Sequence, residues 1–158
     1  MCEFISFFHR PDNGDIVVSD LTSHGNTEKT LNLGKGLWRE GHFKPNGELI
    51  LRLSPGEENK YDDRELKNRF LNHWSTFVEF LNWCILATKQ TEIYTGSLDV
   101  RGCDLKGVAL PKSIGGYLDV RGCDLKGVAL PKSIGGYLDV RGCDLKGVAL
   151  PKKIKLIK

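Results

Sequence analysis

The sequence predicts an α+β N-terminal domain, with a small antiparallel sheet and one long helix, followed by a short β-solenoid of about three 20-residue coils. Two features of the chain lead to this prediction. Residues 98–112 read LDVRGCDLKGVALPK, and the same fifteen residues return at 118–132 and 138–152. The earlier part of the chain contains no repeat, and its apolar runs alternate with turn signals. We therefore predict a capping domain, 1–96, and a repeat domain, 97–158.

The repeat domain divides into coils 98–117, 118–137 and 138–152, with a basic C-terminal tail. Its apolar residues advance by alternating steps of two and three: Leu98, Val100, Cys103, Leu105, Val108 and Leu110. A step of two places both side chains on one face of a strand, and a step of three requires a corner between such pairs. Because this unit cannot bury its own apolar edge, it must stack on a copy of itself.

Divided into fives, the unit reads LDVRG, CDLKG, VALPK and SIGGY, and it resembles pentapeptide-repeat proteins. The resemblance implies a right-handed four-sided β-helix in which the first and third residues of each five point inward. SIGGY departs from this pattern, since Gly115 is central and Ile114 is out of phase. The resemblance covers residues 97–158 only, and residues 1–96 are not recognised.

The unit also resembles bacterial leucine-rich repeats of about twenty residues. Four residues match the core of that repeat: Leu118, Val120, Cys123 and Leu125. The resemblance implies that Ile114 faces the core, which removes the defect of the pentapeptide pattern. We favour this reading, with residues 117–121 as the recurrent strand, and keep both open.

Strand alternation predicts which side chains the repeats display. With Leu118 and Val120 buried, Tyr117, Asp119 and Arg121 face outward. Stacked strands lie about 4.8 Å apart, so equivalent residues form columns. The candidate binding face comprises Asp99, Arg101, Tyr117, Asp119, Arg121, Tyr137, Asp139 and Arg141. It is either a self-neutralising solvent face or a protein-binding surface, since Tyr and Arg are enriched at interface hot spots.

The N-terminal domain is predicted to begin with two hairpins. Pro11–Gly14 joins residues 3–8 to 16–19, and Pro45–Gly47 joins residues 37–43 to 48–53. Residues 20–36 are polar and punctuated by glycine, so we expect a long loop with a short strand at 30–33.

One long helix follows the hairpins. Asp62 and Glu65 have the spacing of a capping box, and apolar residues recur at steps of three and four over residues 66–84. The segment FVEFLNWCILA is apolar nearly all round, which predicts burial on several sides. We expect this helix to pack on the sheet and to contact the first coil, so that the N-terminal domain caps the repeats.

Composition limits the location and the chemistry of the protein. Of its 158 residues, 40% are hydrophobic and 27% charged, as in globular proteins. No run of about 18 apolar residues occurs, so we expect no transmembrane helix and no membrane partner. The N-terminus lacks the basic segment and cleavage site of a secretory signal. Five cysteines, an odd number, argue against a disulfide framework, and we expect a cytoplasmic protein.

Charge divides the chain. Residues 1–96 carry 11 basic and 14 acidic residues, a net −3, whereas residues 97–158 carry 12 and 6, a net +6. Half of that excess is in Lys153, Lys155 and Lys158, which we interpret as protection of a terminal strand edge. The basic half also admits nucleic-acid binding through phosphate contacts. It argues against acidic mimicry of DNA, a role found among pentapeptide-repeat proteins.

The sequence shows no catalytic motif. The four histidines lack the HExxH spacing. His42 and Glu40 share one face of a predicted strand, and with His24 they could form an acid–base or metal site, although we expect surface histidines. We assign no catalytic, cofactor-binding or metal-ligating residue, and no cofactor.

The function we favour is a non-enzymatic protein-interaction module, with a protein of unknown identity as its partner. One alternative is a nucleic-acid-binding protein that uses the basic half. Another is a small ligand-binding or enzymatic N-terminal domain with the solenoid as its scaffold. A homodimer through the terminal coil is a further option.

Overall fold

The computed structural model describes residues 5–34 and 36–158. Part of the predicted first strand, Glu3 and Phe4, lies outside the described residues, as does Cys2. Within the described ranges the chain forms three helices: α1 (His24–Leu31), α2 (Asp63–His73) and α3 (Phe77–Ala87). The strands are β1 (Ile5–His9), β2 (Ile16–Val17), β3 (Arg39–Phe43), β4 (Leu49–Leu51), β5 (Ile93–Tyr94), β6 (Leu98–Asp99), β7 (Ser113–Ile114), β8 (Leu118–Asp119), β9 (Ser133–Ile134), β10 (Tyr137–Asp139) and β11 (Lys155–Ile157).

The first four strands form an antiparallel sheet in the order β2-β1-β3-β4. In its centre β1 and β3 pair with Ile5 opposite Phe43 and with Ser6 opposite His42. The turn between β3 and β4 is closed by a hydrogen bond from the Lys44 N–H to the Glu48 carbonyl, 2.9 Å. Gly47 has φ +85° in this turn. This conformation favours glycine, because in other residues the Cβ atom comes too close to the neighbouring backbone.

The predicted single long helix is wrong, because the chain breaks it at Trp74. Trp74 is extended, with φ −130° and ψ 97°, and α3 begins afresh after Thr76. The Thr76 hydroxyl accepts a hydrogen bond from the Glu79 N–H, and the Glu79 carboxylate accepts one from the Thr76 N–H. This reciprocal capping box satisfies backbone donors at a new helix start, and it lies inside the segment whose apolar periodicity looked continuous.

The predicted loop at residues 20–36 contains helix α1, and no strand forms at residues 30–33 within the part of it that the structure describes. Ser23 caps the start of α1, since its hydroxyl accepts from the Asn26 N–H at 3.2 Å. Asn32 ends the helix in the left-handed conformation, φ 48°, which asparagine tolerates better than most residues. These two polar caps fix a helix in a segment with little apolar periodicity.

The repeats supply most strands of two parallel sheets, ordered β11-β10-β8-β6 and β5-β7-β9. Equivalent residues of successive repeats are in register: Leu98 pairs with Leu118, which pairs with Leu138, and Ile114 pairs with Ile134. Both sheets also include strands from outside the repeats. β5 precedes them, and β11, in the basic tail, pairs with β10.

The predicted fold class is therefore wrong. The protein is a small α/β protein whose described residues form three helices and several sheets, antiparallel and parallel, with no single long helix. The repeat strands are two or three residues long, so they do not define a solenoid appended to an α+β domain. Their apolar side chains instead belong to one hydrophobic core together with those of the N-terminal sheet, α2 and α3.

The N-terminal elements contact the repeats through the side chain of Asn82 on α3 and through β5, which pairs with β7. The Asn82 side chain on α3 donates to the Gly107 carbonyl at 2.9 Å and accepts from the Ala109 N–H at 3.0 Å. Tyr94, on β5, is itself held by the N-terminal part, since its buried hydroxyl accepts from the Leu21 N–H at 2.8 Å and donates to Asp20 at 3.1 Å. The first repeat is thus held by side chains that belong to no repeat. The predicted division into two domains and a homodimer through the terminal coil stay predictions.

Candidate functional site

The three aspartates of the candidate face are buried rather than displayed. Asp99, Asp119 and Asp139 are 5%, 4% and 2% exposed, which corrects the expectation that they face solvent. Each carboxylate bends back toward the chain that follows it, and accepts from the backbone N–H two residues later at 3.2–3.3 Å. Aspartate commonly makes this local bond where a strand turns, and strand alternation alone does not anticipate it.

Arginines cover these carboxylates and link successive repeats. Arg101 donates from Nε to Asp99 at 2.9 Å and lies 3.5 Å from Asp119. Arg121 repeats the arrangement, at 2.6 Å from Asp119 and 3.5 Å from Asp139. The result is a ladder in which aspartates and arginines alternate. A buried carboxylate is tolerated only when paired and hydrogen-bonded, and each aspartate of the ladder meets both conditions.

The last rung shows the electrostatic consequence. Arg141 donates to Asp139 through Nη2 at 2.7 Å and through Nε at 3.0 Å. These hydrogen bonds stabilise the carboxylate and lower the pKa of Asp139 below its ordinary value. The same kind of bond, from Arg121 to Asp119, raises the pKa of Arg121. The pair formed by Asp139 and Arg141 is therefore ionised at neutral pH.

Beside the ladder the two tyrosines of the candidate face form a stack. The rings of Tyr117 and Tyr137 are 5.0 Å apart between centroids and inclined by 4°. Adjacent parallel strands set this spacing, because they lie about 4.8 Å apart. Burial raises the pKa of Tyr117, and the nearby carboxylate of Asp99 adds to the effect. We call these eight residues, two tyrosines, three aspartates and three arginines, the Tyr–Asp–Arg face.

A second group of polar side chains lies between α1 and the face of β3 that carries Glu40 and His42. His24 begins α1, and Glu40 and His42 share one face of β3. One potential ligand atom from each residue lies within 4.8 Å of the other two. The sequence suggested this group of three, with surface histidines as the expectation, but it predicted a loop around His24 because the caps of α1 were not recognised. Burial lowers the pKa of His42, and the charge of His24 adds to the effect.

The cysteines of the repeats belong to the core. Cys103 and Cys123 are buried, and the Cys123 thiol donates to the Val100 carbonyl at 3.1 Å. Burial raises the pKa of the Cys123 thiol to about 11 and raises that of Cys103 as well. A thiol with a raised pKa stays protonated at neutral pH and is a poor nucleophile. Cys103 and Cys123 therefore pack in the core as protonated thiols.

Comparisons with known proteins identify no relative whose function could guide the interpretation of these groups. No protein-family model, curated protein or solved structure matches the chain. Among the helices of the described residues, none has both the length and the apolar character needed to cross a bilayer. Within residues 5–34 and 36–158, the Tyr–Asp–Arg face and the group at His24, Glu40 and His42 bring together side chains that could bind a partner or an ion.

Proposed function

We propose that this protein is a non-enzymatic interaction module that binds another protein through the Tyr–Asp–Arg face. The observation that carries the proposal is the stacked pair Tyr117 and Tyr137 beside arginines whose guanidinium groups are held by buried carboxylates. Tyr and Arg are enriched among the residues that contribute most to protein–protein binding. Both residue types are present here in a regular row.

The face is ordered before any partner arrives. Arg121 is fixed by Asp119 through Nε and Nη2, and Tyr117 is fixed by the ring of Tyr137. Much of the entropy cost of binding comes from immobilising long side chains. Because folding has already restricted these side chains, a partner that contacts them loses less free energy on binding.

Charge selects the kind of partner. The three aspartates of the face are buried and paired with its three arginines, so the face itself has no net charge. The surrounding residues 97–158 carry a net charge of +6. Complementary charge speeds association and excludes partners of the same sign. The region is thus suited to a partner with an acidic surface, which the lysines of residues 97–158 attract while the tyrosines supply the contact.

The test compares two double variants of the full chain. Tyr117→Ala with Tyr137→Ala removes the aromatic stack, and Ser113→Ala with Ser133→Ala removes a matched stack on the other parallel sheet, where the two hydroxyls are 2.9 Å apart. Proteins captured from nuclease-treated cell extract are identified, purified and titrated against each variant. We expect the tyrosine variant to weaken binding by at least about tenfold, and the serine variant to bind as wild type does.

Three outcomes contradict the proposal. A purified partner that binds both variants equally well places its site elsewhere on the chain. The nucleic-acid alternative is supported if nuclease treatment abolishes the capture of partners and if the purified chain binds DNA or RNA with an affinity that falls steeply with salt concentration. A metabolite retained by the purified chain, with no protein partner recovered, supports a ligand-binding N-terminal part. Circular dichroism and thermal unfolding of each variant exclude loss of the fold as the cause.

A further inference from the structure

The group at His24, Glu40 and His42 contains two imidazoles and one carboxylate from separate parts of the chain. His24 comes from the first turn of α1, whereas Glu40 and His42 come from the central strand β3. The side chain of His24 is 11% exposed and that of Glu40 is 38% exposed. The group is thus sheltered by the sheet on one side and open to solvent at the carboxylate.

The distances within the group are close to those of a metal site. The three ligand atoms lie within 4.8 Å of one another, and His24 Nδ1 is 3.9 Å from Glu40 Oε1. Ligand atoms around a tetrahedral ion, with bonds of about 2.0–2.2 Å, are about 3.3–3.6 Å apart. Movement of each side chain by less than about 1 Å therefore brings the set to bonding distance.

Neighbouring groups already orient the ligands. His24 Nε2 lies 3.3 Å from the Gly41 carbonyl, and a ring that donates from Nε2 keeps its lone pair on Nδ1, the nitrogen that faces Glu40. Metal-binding histidines commonly donate their second N–H to a carbonyl in this way. Arg52 donates to the other oxygen of Glu40 at 3.1 Å. The ring of Phe8 packs edge-on against His24, with centroids 5.4 Å apart.

We propose that His24, Glu40 and His42 bind a divalent transition-metal ion, with Zn²⁺ as the reference ion. Imidazole nitrogens suit Zn²⁺ and its neighbours in the first transition row, whereas Mg²⁺ and Ca²⁺ select oxygen ligands. Two histidines and one glutamate form a set of three protein ligands, and the exposed side of Glu40 leaves the fourth position to water. The bound ion fastens the start of α1 to β3, independently of the Tyr–Asp–Arg face.

The experiment titrates the full chain, freed of metal by a chelator, with Zn²⁺ in a calorimeter and with Co²⁺ by visible absorption. We expect one ion per chain, a Co²⁺ spectrum of tetrahedral type, and a melting temperature that rises with Zn²⁺ concentration. His24→Ala and His42→Ala each abolish this binding. Glu40→Gln, which alters a partly exposed side chain and keeps its shape, weakens it by at least about tenfold.

Two control variants separate this site from other ligands in the chain. His73→Ala removes an exposed histidine at the end of α2, and Cys143→Ser removes the least buried of the repeat cysteines. Both are expected to bind Zn²⁺ as wild type does. The proposal is overturned if wild type takes up no ion, if Glu40→Gln binds with full affinity, or if the histidine variants, folded by circular dichroism, retain the site.

Discussion

The antiparallel part and the repeat part of this molecule bury their apolar side chains in different ways. In the antiparallel part every contact occurs once, as in the edge-to-face packing of Phe7 on Phe80. In the repeats one set of side chains is used three times, yet its members are not equivalent. The side chains of Arg101, Arg121 and Arg141 are 28%, 33% and 52% exposed. Since the fifteen-residue unit is identical in all three copies, the difference comes from what lies on either side of each copy.

The largest expected effect comes from truncating the same leucine in two repeats. Leu125 is 1% exposed, whereas Leu145 is only partly buried. Leu125→Ala should lower the free energy of unfolding by about 2–5 kcal/mol, as for a filled core position. Leu145→Ala should cost less than half as much, because it leaves a smaller cavity. Denaturant unfolding of both variants measures the two values, and equal costs would show that burial does not decide them.

Acid should act on the two parts in different pH windows. Burial lowers the pKa of His9, in β1, from 6.5 to about 4. Below pH 6.5 the unfolded chain binds a proton there that the folded chain does not, so stability falls down to about pH 4, by roughly 3 kcal/mol in total. The pKa of Asp139 is lowered from 3.8, so its contribution is lost only at lower pH.

Unfolding of wild type and His9→Gln between pH 7 and 4 measures the contribution of the histidine. The variant is expected to lose most of the slope in this range. Wild type and Asp139→Asn should differ in slope only below pH 3.8. A slope that persists in His9→Gln would assign the acid sensitivity to other groups.

The smallest expected effect compares two rungs of the ladder. Asp119 faces both Arg101 and Arg121, whereas Asp99 pairs with Arg101. Asp119→Ala should cost about 1–3 kcal/mol, since it removes charge-assisted hydrogen bonds from a buried position. Asp99→Ala should lower the free energy of unfolding by less, because the carboxylate of Asp99 pairs with only one arginine of the ladder, Arg101. Thermal unfolding of the two variants ranks them, and the reverse order would mean that the contact between repeats contributes nothing.

Register within the repeats could be predicted from the sequence, and the direction of several side chains could not. Exact identity at an interval of twenty brings Leu98, Leu118 and Leu138 into line. The same alternation predicted exposed aspartates, because it counts strand positions and ignores the local hydrogen bond that turns Asp119 inward. A period-two pattern describes a side chain only while the strand continues, and β8 ends at Asp119.

The helical errors have a related cause. Apolar spacing continues through Trp74, so periodicity alone does not reveal the break, whereas the pair Thr76 and Glu79 marks a helix start. Ser23 and Asn32 likewise mark the ends of α1, in a segment whose polar composition suggested a loop. Caps are short-range signals that a search for apolar period passes over. One of them, Ser23, shows that His24 begins a helix rather than lying in a loop.

The strand β11, which lies outside the repeats, covers the edge of the last repeat strand, β10. It pairs with β10, while Asn82 holds the first repeat at the opposite end. A unit of twenty residues inserted or deleted between these ends would move them apart or together by one strand, about 4.8 Å, and leave both attachments intact. The number of repeats therefore sets the distance between the two attachments and the number of tyrosines and arginines in the Tyr–Asp–Arg face.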